Sequence, residues 1–292
     1  MHRPAGVVAV ALVLALAAAG CARGSAGRAE VPRGPVTSPA DIARTIDDAV
    51  FTIDCRFSHR AMDDPIVKPG KPGASHSHDF FGNASTDAAS TVVSMRGRST
   101  TCEDLGDTAA YWVPTLYVDG QAIRPQLLRA YYRAVPGADV GQVQAPPAGL
   151  KMLAGNVKAT APQPVDIVSW GCGLRPRVPT ALPPHDCNAS SPLTLRLLFA
   201  DCWDGRHVDS DDHRTHVAYS RAGRCPPSHP RAITQLQVSV EYPVLDSAGR
   251  TITLASGSPI TAHGDFFNTW VQSRLAFEVR TCIHAHANCS FS

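Results

Sequence analysis

The chain has 292 residues, with Lys+Arg 27 against Asp+Glu 25, 44% hydrophobic and only 18% charged. A formal net charge of +2 excludes a strongly basic nucleic-acid binder and an acidic disordered tail. With 22 Gly, 24 Pro and four Glu, the composition suits a loop-rich β protein and argues against long, charge-laced helices.

The first element is an address. Arg3 precedes an unbroken apolar stretch over residues 7–19. It is short for a membrane span and lacks a stop-transfer flank, so residues 1–20 read as a signal peptide. Ala18, Ala19 and Gly20 stand directly before Cys21, a junction that resembles a bacterial lipobox. The resemblance implies lipidation of Cys21 and anchoring to the outer face of the bacterial plasma membrane, with the membrane as a partner through that lipid. Residues 21–48 read as the lipid-anchored N-terminus and a flexible linker: 22–40 are small, Pro-bearing and aperiodic, and Ser38 and Pro39 can start one short helix. No second linker, repeat or low-complexity tract follows, so residues 49–292 read as one domain.

Setting Cys21 aside leaves eight of the nine Cys, an even number that in an exported chain predicts four disulfides. Eight cysteines allow 105 pairings. Nearest-neighbour pairing gives Cys55–Cys102, Cys172–Cys187, Cys202–Cys225 and Cys282–Cys289. No CxxC pair supports a zinc ribbon or a thioredoxin-type site.

Strand signals are frequent. Residues 111–118 (YWVPTLYV) are followed by Asp119-Gly120 and Gln121-Ala-Ile123, a two-residue hairpin signal. Leu193-Thr-Leu-Arg-Leu-Leu-Phe199 reads as a buried strand. In residues 236–242 (LQVSVEY), Leu236, Val238, Val240 and Tyr242 alternate onto one face. The turn at 246–249 leads into residues 251–254 and predicts a second hairpin. Near the end, Val271, Leu275 and Val279 recur at helical spacing behind Asn268 as a cap. Short strands joined by Pro/Gly loops predict a mainly β single domain, a disulfide-reinforced sandwich or jelly roll with a few short helices.

Four clusters can carry chemistry. In His76-Ser-His78-Asp79-Phe80-Phe81, an extended backbone points His76 and His78 the same way, which suits a metal or an acid/base pair. His263-Gly-Asp265-Phe266-Phe267 repeats the Asp-Phe-Phe core and predicts two segments meeting at one site, a structural repeat being the plainer account. The third cluster holds Asp201, Asp204, His213, His216 and Tyr219 around Trp203, a residue type that either stacks on sugars or fills a core beside a disulfide. His284 and His286 read as a solvated loop pair. His76, His78, His263 and Asp265 form the candidate metal set, and a divalent metal is the one cofactor these residues suggest, zinc or copper by ligand softness. The chain lacks GxSxG, P-loop, HExxH and GxGxxG motifs, so no nucleotide partner is expected.

HSHDFFGN (76–83), YWVPTLY (111–117), GLKMLAGN (149–156), WGC (170–172), FADCWDG (199–205), HRTHVAY (213–219), CPPSHP (225–230) and HGDFFNTW (263–270) occur in order. This set resembles the domain-of-unknown-function family numbered nineteen ninety-six, found in secreted fungal and actinobacterial proteins, some with WSC modules associated with cell-wall sugars. The resemblance implies a fold unit and a setting, not a mechanism. His76, His78, Asp79, Asp201, Asp204, His213, His216, His263 and Asp265 fall inside its motifs.

Three functions fit. The first is an exported lipoprotein binding or cleaving an envelope polysaccharide, as a lyase or glycoside hydrolase if it is an enzyme. With four Glu, a His/Tyr elimination site or an Asp general acid such as Asp201 or Asp204 fits better than a Glu pair. The second is a metal-dependent hydrolase or oxidase using His76, His78, His263 and Asp265. The third is a non-catalytic structural or adhesion module.

Overall fold

The computed structural model describes residues 49–176 and 178–290. The expected signal peptide, the expected lipidation site at Cys21, the expected linker and the short helix expected after Ser38 fall on residues outside the described ones.

Strands dominate the regular structure of the described residues. In order these are β1 (Val50–Cys55), β2 (Phe57–Ala61), β3 (His78–Gly82), β4 (Ala110–Pro114), β5 (Leu116–Val118), β6 (Gln121–Ile123), β7 (Leu127–Arg133), β8 (Lys151–Gly155), β9 (Val168–Cys172), β10 (Leu193–Leu198), β11 (Cys202–Trp203), β12 (Val217–Ala218), β13 (Arg231–Ala232), β14 (Gln235–Glu241), β15 (Ile252–Leu254), β16 (His263–Phe267) and β17 (Asn288–Ser290). Among the described residues, two short helices, α1 (Val92–Met95) and α2 (Gln272–Glu278), join a π-helical turn at Val279–Ile283 and two 3-10 turns.

Two sheets make the sandwich. One has six strands in the order β17-β1-β7-β14-β10-β9, and the other has five in the order β2-β3-β4-β16-β8. All pairings are antiparallel except β1 with β17. Alternation sends Phe81, Tyr111, Val113, Met152 and Phe266 of the five-stranded sheet into a core shared with Phe51, Tyr132, Leu195, Leu197 and Val238 of the other. Phe266 packs edge-on against Tyr132 and Phe199, with ring centroids 6.4 and 6.3 Å apart. The sheets approach so closely that a Cβ on Gly264 would lie 2.5 Å from Leu197 Cδ1. The five-stranded sheet is apolar on its outer face too. There Phe80, Ala110, Trp112 and Phe267 pack under Ile66 and Met95, contributed by the loop before β3 and by α1. That second layer buries whatever else β3 and β16 direct outward.

Four disulfides join Cys55–Cys102, Cys172–Cys187, Cys202–Cys225 and Cys282–Cys289. The Asp119-Gly120 hairpin forms with φ of 50° and 78°, the left-handed pair such a turn needs. Residues 111–118 nevertheless serve two sheets. β4 ends at Pro114, and β5 belongs to a three-stranded sheet with β6 and β15. The second expected hairpin does not form: β15 pairs with β5, not with β14, because Asp119 draws the segment over by accepting from Thr251 N and pairing with Arg250, each at 2.8 Å. Asn268 does not cap α2, whose N-cap is Val271. Its buried amide instead donates to the carbonyls of Pro146 and Pro147 at 2.9 and 2.8 Å.

Candidate metal centre

β3 and β16 flank β4 on its two sides, so the two Asp-Phe-Phe segments are neighbours in one sheet. They are out of phase. In β3 the sequence His-Asp-Phe-Phe sends His78 and Phe80 outward and Asp79 and Phe81 inward. In β16 the inserted Gly264 shifts the alternation, so His263, Asp265 and Phe267 share the outer face. His78 lies opposite Pro114, and Asp265 opposite Trp112. Continuing that register puts His263 level with Pro114, across β4 from His78. The ring centroids of the two histidines are 5.9 Å apart.

His76 closes the group from the segment leading into β3. Its ring lies 4.2 Å from that of His78 and 5.0 Å from that of His263. His76 Nε2 and His263 Nε2 are 3.2 Å apart. One ligand atom from each of the three histidines falls within 4.8 Å of the others. Three imidazole nitrogens around a zinc ion at 2.0–2.1 Å lie about 3–3.5 Å from one another, so small rotamer adjustments complete such a site. His78 and His263 are buried, and the half-buried His76 connects the group to solvent.

The tautomers are fixed from behind. His78 Nδ1 donates to the Asp63 carbonyl at 3.0 Å, and His263 Nδ1 donates to the Thr261 carbonyl at 2.9 Å. Burial drives the His78 pKa well below its ordinary value, helped by the neighbouring His76 and His263. Burial likewise lowers His263 to about 4, and it lowers His76. The imidazoles are therefore neutral near pH 7, and the single hydrogen of His78 and of His263 sits on Nδ1. The Nε2 lone pairs then point into the cluster, and that of His78 is buried with no partner. A buried acceptor left unpaired costs free energy, and a cation would satisfy it.

Asp265 stands on the same face, beyond the group of ligand atoms. Burial raises its pKa well above the usual carboxylate range, with Asp64 adding to the effect and Arg214 opposing it. One of its oxygens is buried without a partner. Asp64 is buried as well, its Oδ1 accepting from the amides of Ile66 and Val67 at 2.9 Å.

The other sequence candidates fall elsewhere. Asp79 points into the sandwich and pairs with Arg60 at 2.6 Å. Asp201 accepts from Ser220 N at 2.9 Å beside β11. Asp204 ties a turn through His207 at 2.6 Å and is held down to about 2, burial being outweighed by its hydrogen bonds to His207 and Arg206. His213 pairs with Asp209 at 2.7 Å, and buried His216 bonds Ser210 Oγ and the Lys151 carbonyl at 2.8 and 2.7 Å. Tyr219 donates to the Leu198 carbonyl at 2.8 Å. Each of these contacts fastens local structure: Asp79 joins two strands, and the others hold turns and loops in place or against the sheet. Trp203 does the same, its indole nitrogen donating to the His207 carbonyl at 2.6 Å. A second grouping of metal-ligand residue types, Cys55, Cys102 and Asp107, is a disulfide beside a carboxyl that accepts from Tyr111, and offers no thiolate.

Sequence reasoning missed Asp64 and Arg214. Asp64 gave no signal. Arg214 lies inside the HRTHVAY motif as its one permanent cation, the signal that could have marked it.

Fold and site together define a disulfide-braced β-sandwich with three converging, neutral imidazoles on the outer face of one sheet. The chain belongs to the family described as domain of unknown function (DUF1996), whose model matches residues 64–270, a span holding all three histidines. No curated protein and no solved structure matches it.

Proposed function

We propose that the protein is an exported, lipid-anchored, metal-dependent hydrolase that acts on an envelope polysaccharide. The observation that carries the metal is the buried, unpartnered Nε2 of His78 beside the Nε2 atoms of His76 and His263, with His78 and His263 each aimed by an Nδ1 hydrogen bond to a backbone carbonyl. Backbone-oriented imidazoles are the usual supporting shell of a histidine-bound ion. Three nitrogen ligands leave a further position open, as catalytic rather than structural zinc sites do. Zinc is the first choice, and copper suits the same ligands.

His76, His78 and His263 would hold the ion, which supplies Lewis acidity and an activated water. The chain's own groups divide the remaining work. Asp265 keeps its proton because burial disfavours the carboxylate, so it can donate to a leaving oxygen. Trp112 and Phe80, stacked with centroids 5.5 Å apart, form the dry floor beside the cluster.

The export address supports an extracytoplasmic substrate. The family's occurrence beside sugar-associated modules supports a polysaccharide. The test is metal analysis of the purified protein with reducing-end release from envelope polysaccharides, before and after chelation. One metal per chain and chelator-sensitive, metal-restored cleavage are expected. Substoichiometric metal, or cleavage indifferent to chelation, overturns the reading.

A further inference from the structure

We propose that Arg214 is the oxyanion-binding group of this centre and restricts it to substrates carrying a carboxylate or phosphoryl group next to the scissile bond. The proposal rests on the metal reading above and adds the charge of the substrate.

Arg214 is built into place. The segment before it runs along β8, the edge strand of the five-stranded sheet, and is fastened there. Lys151 N donates to the Val208 carbonyl at 2.8 Å, and Lys151 Nζ pairs with Asp209 at 3.0 Å. Asp212 fixes the turn itself. Its Oδ1 accepts from the backbone amides of Arg214 and Thr215 at 3.0 and 2.9 Å, and from the hydroxyls of Ser210 and Thr215 at 2.8 and 2.9 Å. His213 takes a φ of 58° and is held by Asp209, so the residue before Arg214 has one conformation that its side chain secures.

The guanidinium then crosses to the metal side. Arg214 Nη2 donates to the Gly155 carbonyl at 2.6 Å, and Gly155 is the register partner of His263. Gly155 has φ +77°, and a Cβ there would meet the Ala262 carbonyl at 2.5 Å, so the two strands and the arginine converge at this point because no side chain intervenes. The positive charge acts on both His263 and Asp265. Arg214 is exposed, and among the described residues no carboxylate pairs with it. A guanidinium has five N–H donors, and the carbonyl contact uses one. A preorganised, uncompensated arginine beside an electrophilic ion matches an oxyanion, which it can grip with a bidentate fork. A uronate carboxylate and a phosphodiester share that chemistry.

The experiment uses cobalt-loaded protein, whose visible spectrum reports anions arriving at the ion, with inorganic phosphate and glucuronate as separate probes. At least one probe should shift the spectrum saturably. Arg214→Gln, which removes the charge and the fork, should weaken that probe about tenfold or more while cobalt stoichiometry stays at the wild-type value. Arg214→Lys keeps the charge without the fork and should fall between the two. Tighter phosphate assigns the phosphoryl source, and tighter glucuronate the uronate. Neither probe shifting the spectrum, or both variants binding as wild type does, overturns the proposal. If Arg214→Gln fails to fold, Arg214→Lys decides alone. Failure of cobalt to bind stoichiometrically is seen before any anion is added; it removes the metal reading and this proposal with it.

Discussion

His263 holds a proton poorly because little water reaches its ring, and this has a measurable consequence for the metal-free protein. Its folded pKa is about 4 against an ordinary 6.5. Between those values the unfolded chain binds the proton and the folded chain does not, so stability falls as pH drops from about 6.5 to about 4. A shift of that size corresponds to about 3 kcal/mol. Asp265 acts in the opposite sense: its raised pKa lets the folded state keep a proton above 3.8 that the unfolded chain releases. The measurement is therefore a difference. Denaturant unfolding of chelated wild type and His263→Gln across pH 4–7 should show the variant with the shallower loss on the acid side. Parallel curves would mean that His263 is not held neutral. A second substitution addresses the lone pair directly. His78→Gln should reduce zinc affinity by roughly 100-fold or more, beyond what losing an outer-shell partner costs. Equilibrium dialysis reads this, and unchanged affinity would show that His78 is not a ligand.

At the scale of elements, one glycine decides whether β16 presents a site at all. Gly264 lets β16 press against Leu197 and also shifts the Asp-Phe-Phe segment by one residue relative to β3. Gly264→Ala forces Leu197 to move from the 2.5 Å contact, and overpacking of this kind costs about 1–3 kcal/mol. Adding Leu197→Ala should make the two changes non-additive, the double variant losing less than the sum of the single ones, as chemical denaturation would read. Strict additivity would mean that the sheets do not touch here. The same residue explains what was legible in sequence. Alternation and turn chemistry revealed β10, β14 and the Asp119-Gly120 hairpin, because those signals are local. The shared wording of the two histidine segments pointed to one site, and the strands do lie on either side of β4. The sequence suggested equivalent segments, yet Asp79 and Asp265 face opposite sides of the sheet. One inserted residue reverses a strand's faces, and only the strand register shows where it takes effect. The pairing of β15 with β5 was hidden for a related reason: it depends on Asp119 meeting Arg250, a contact 131 residues apart in sequence.

For the whole molecule, the cysteines bear on the proposed export and lipid anchor. Eight of the nine are consumed in the four disulfides, and each bond closes a short stretch of chain, with separations of 47, 15, 23 and 7 residues. The Cys202–Cys225 bond braces the segment from which Arg214 reaches the centre. Its removal should cost about 2–5 kcal/mol and loosen that segment first. The remaining cysteine is Cys21, directly behind the small residues that end the N-terminal apolar stretch. An unpaired cysteine in an exported chain is either a free thiol or a modified one. Thioether lipidation of Cys21 leaves the unfolded, unreduced protein with no titratable thiol, whereas simple secretion with Cys21 retained leaves one per chain. Membrane-fraction protein should therefore titrate at zero and yield a mature N-terminal peptide that begins at Cys21 and carries a diacylglycerol mass. Cys21→Ser should move the protein out of the membrane fraction without changing its melting temperature, because none of the four disulfides uses this residue. One thiol per chain in the wild type, or membrane association that survives Cys21→Ser, would rule out the lipid anchor.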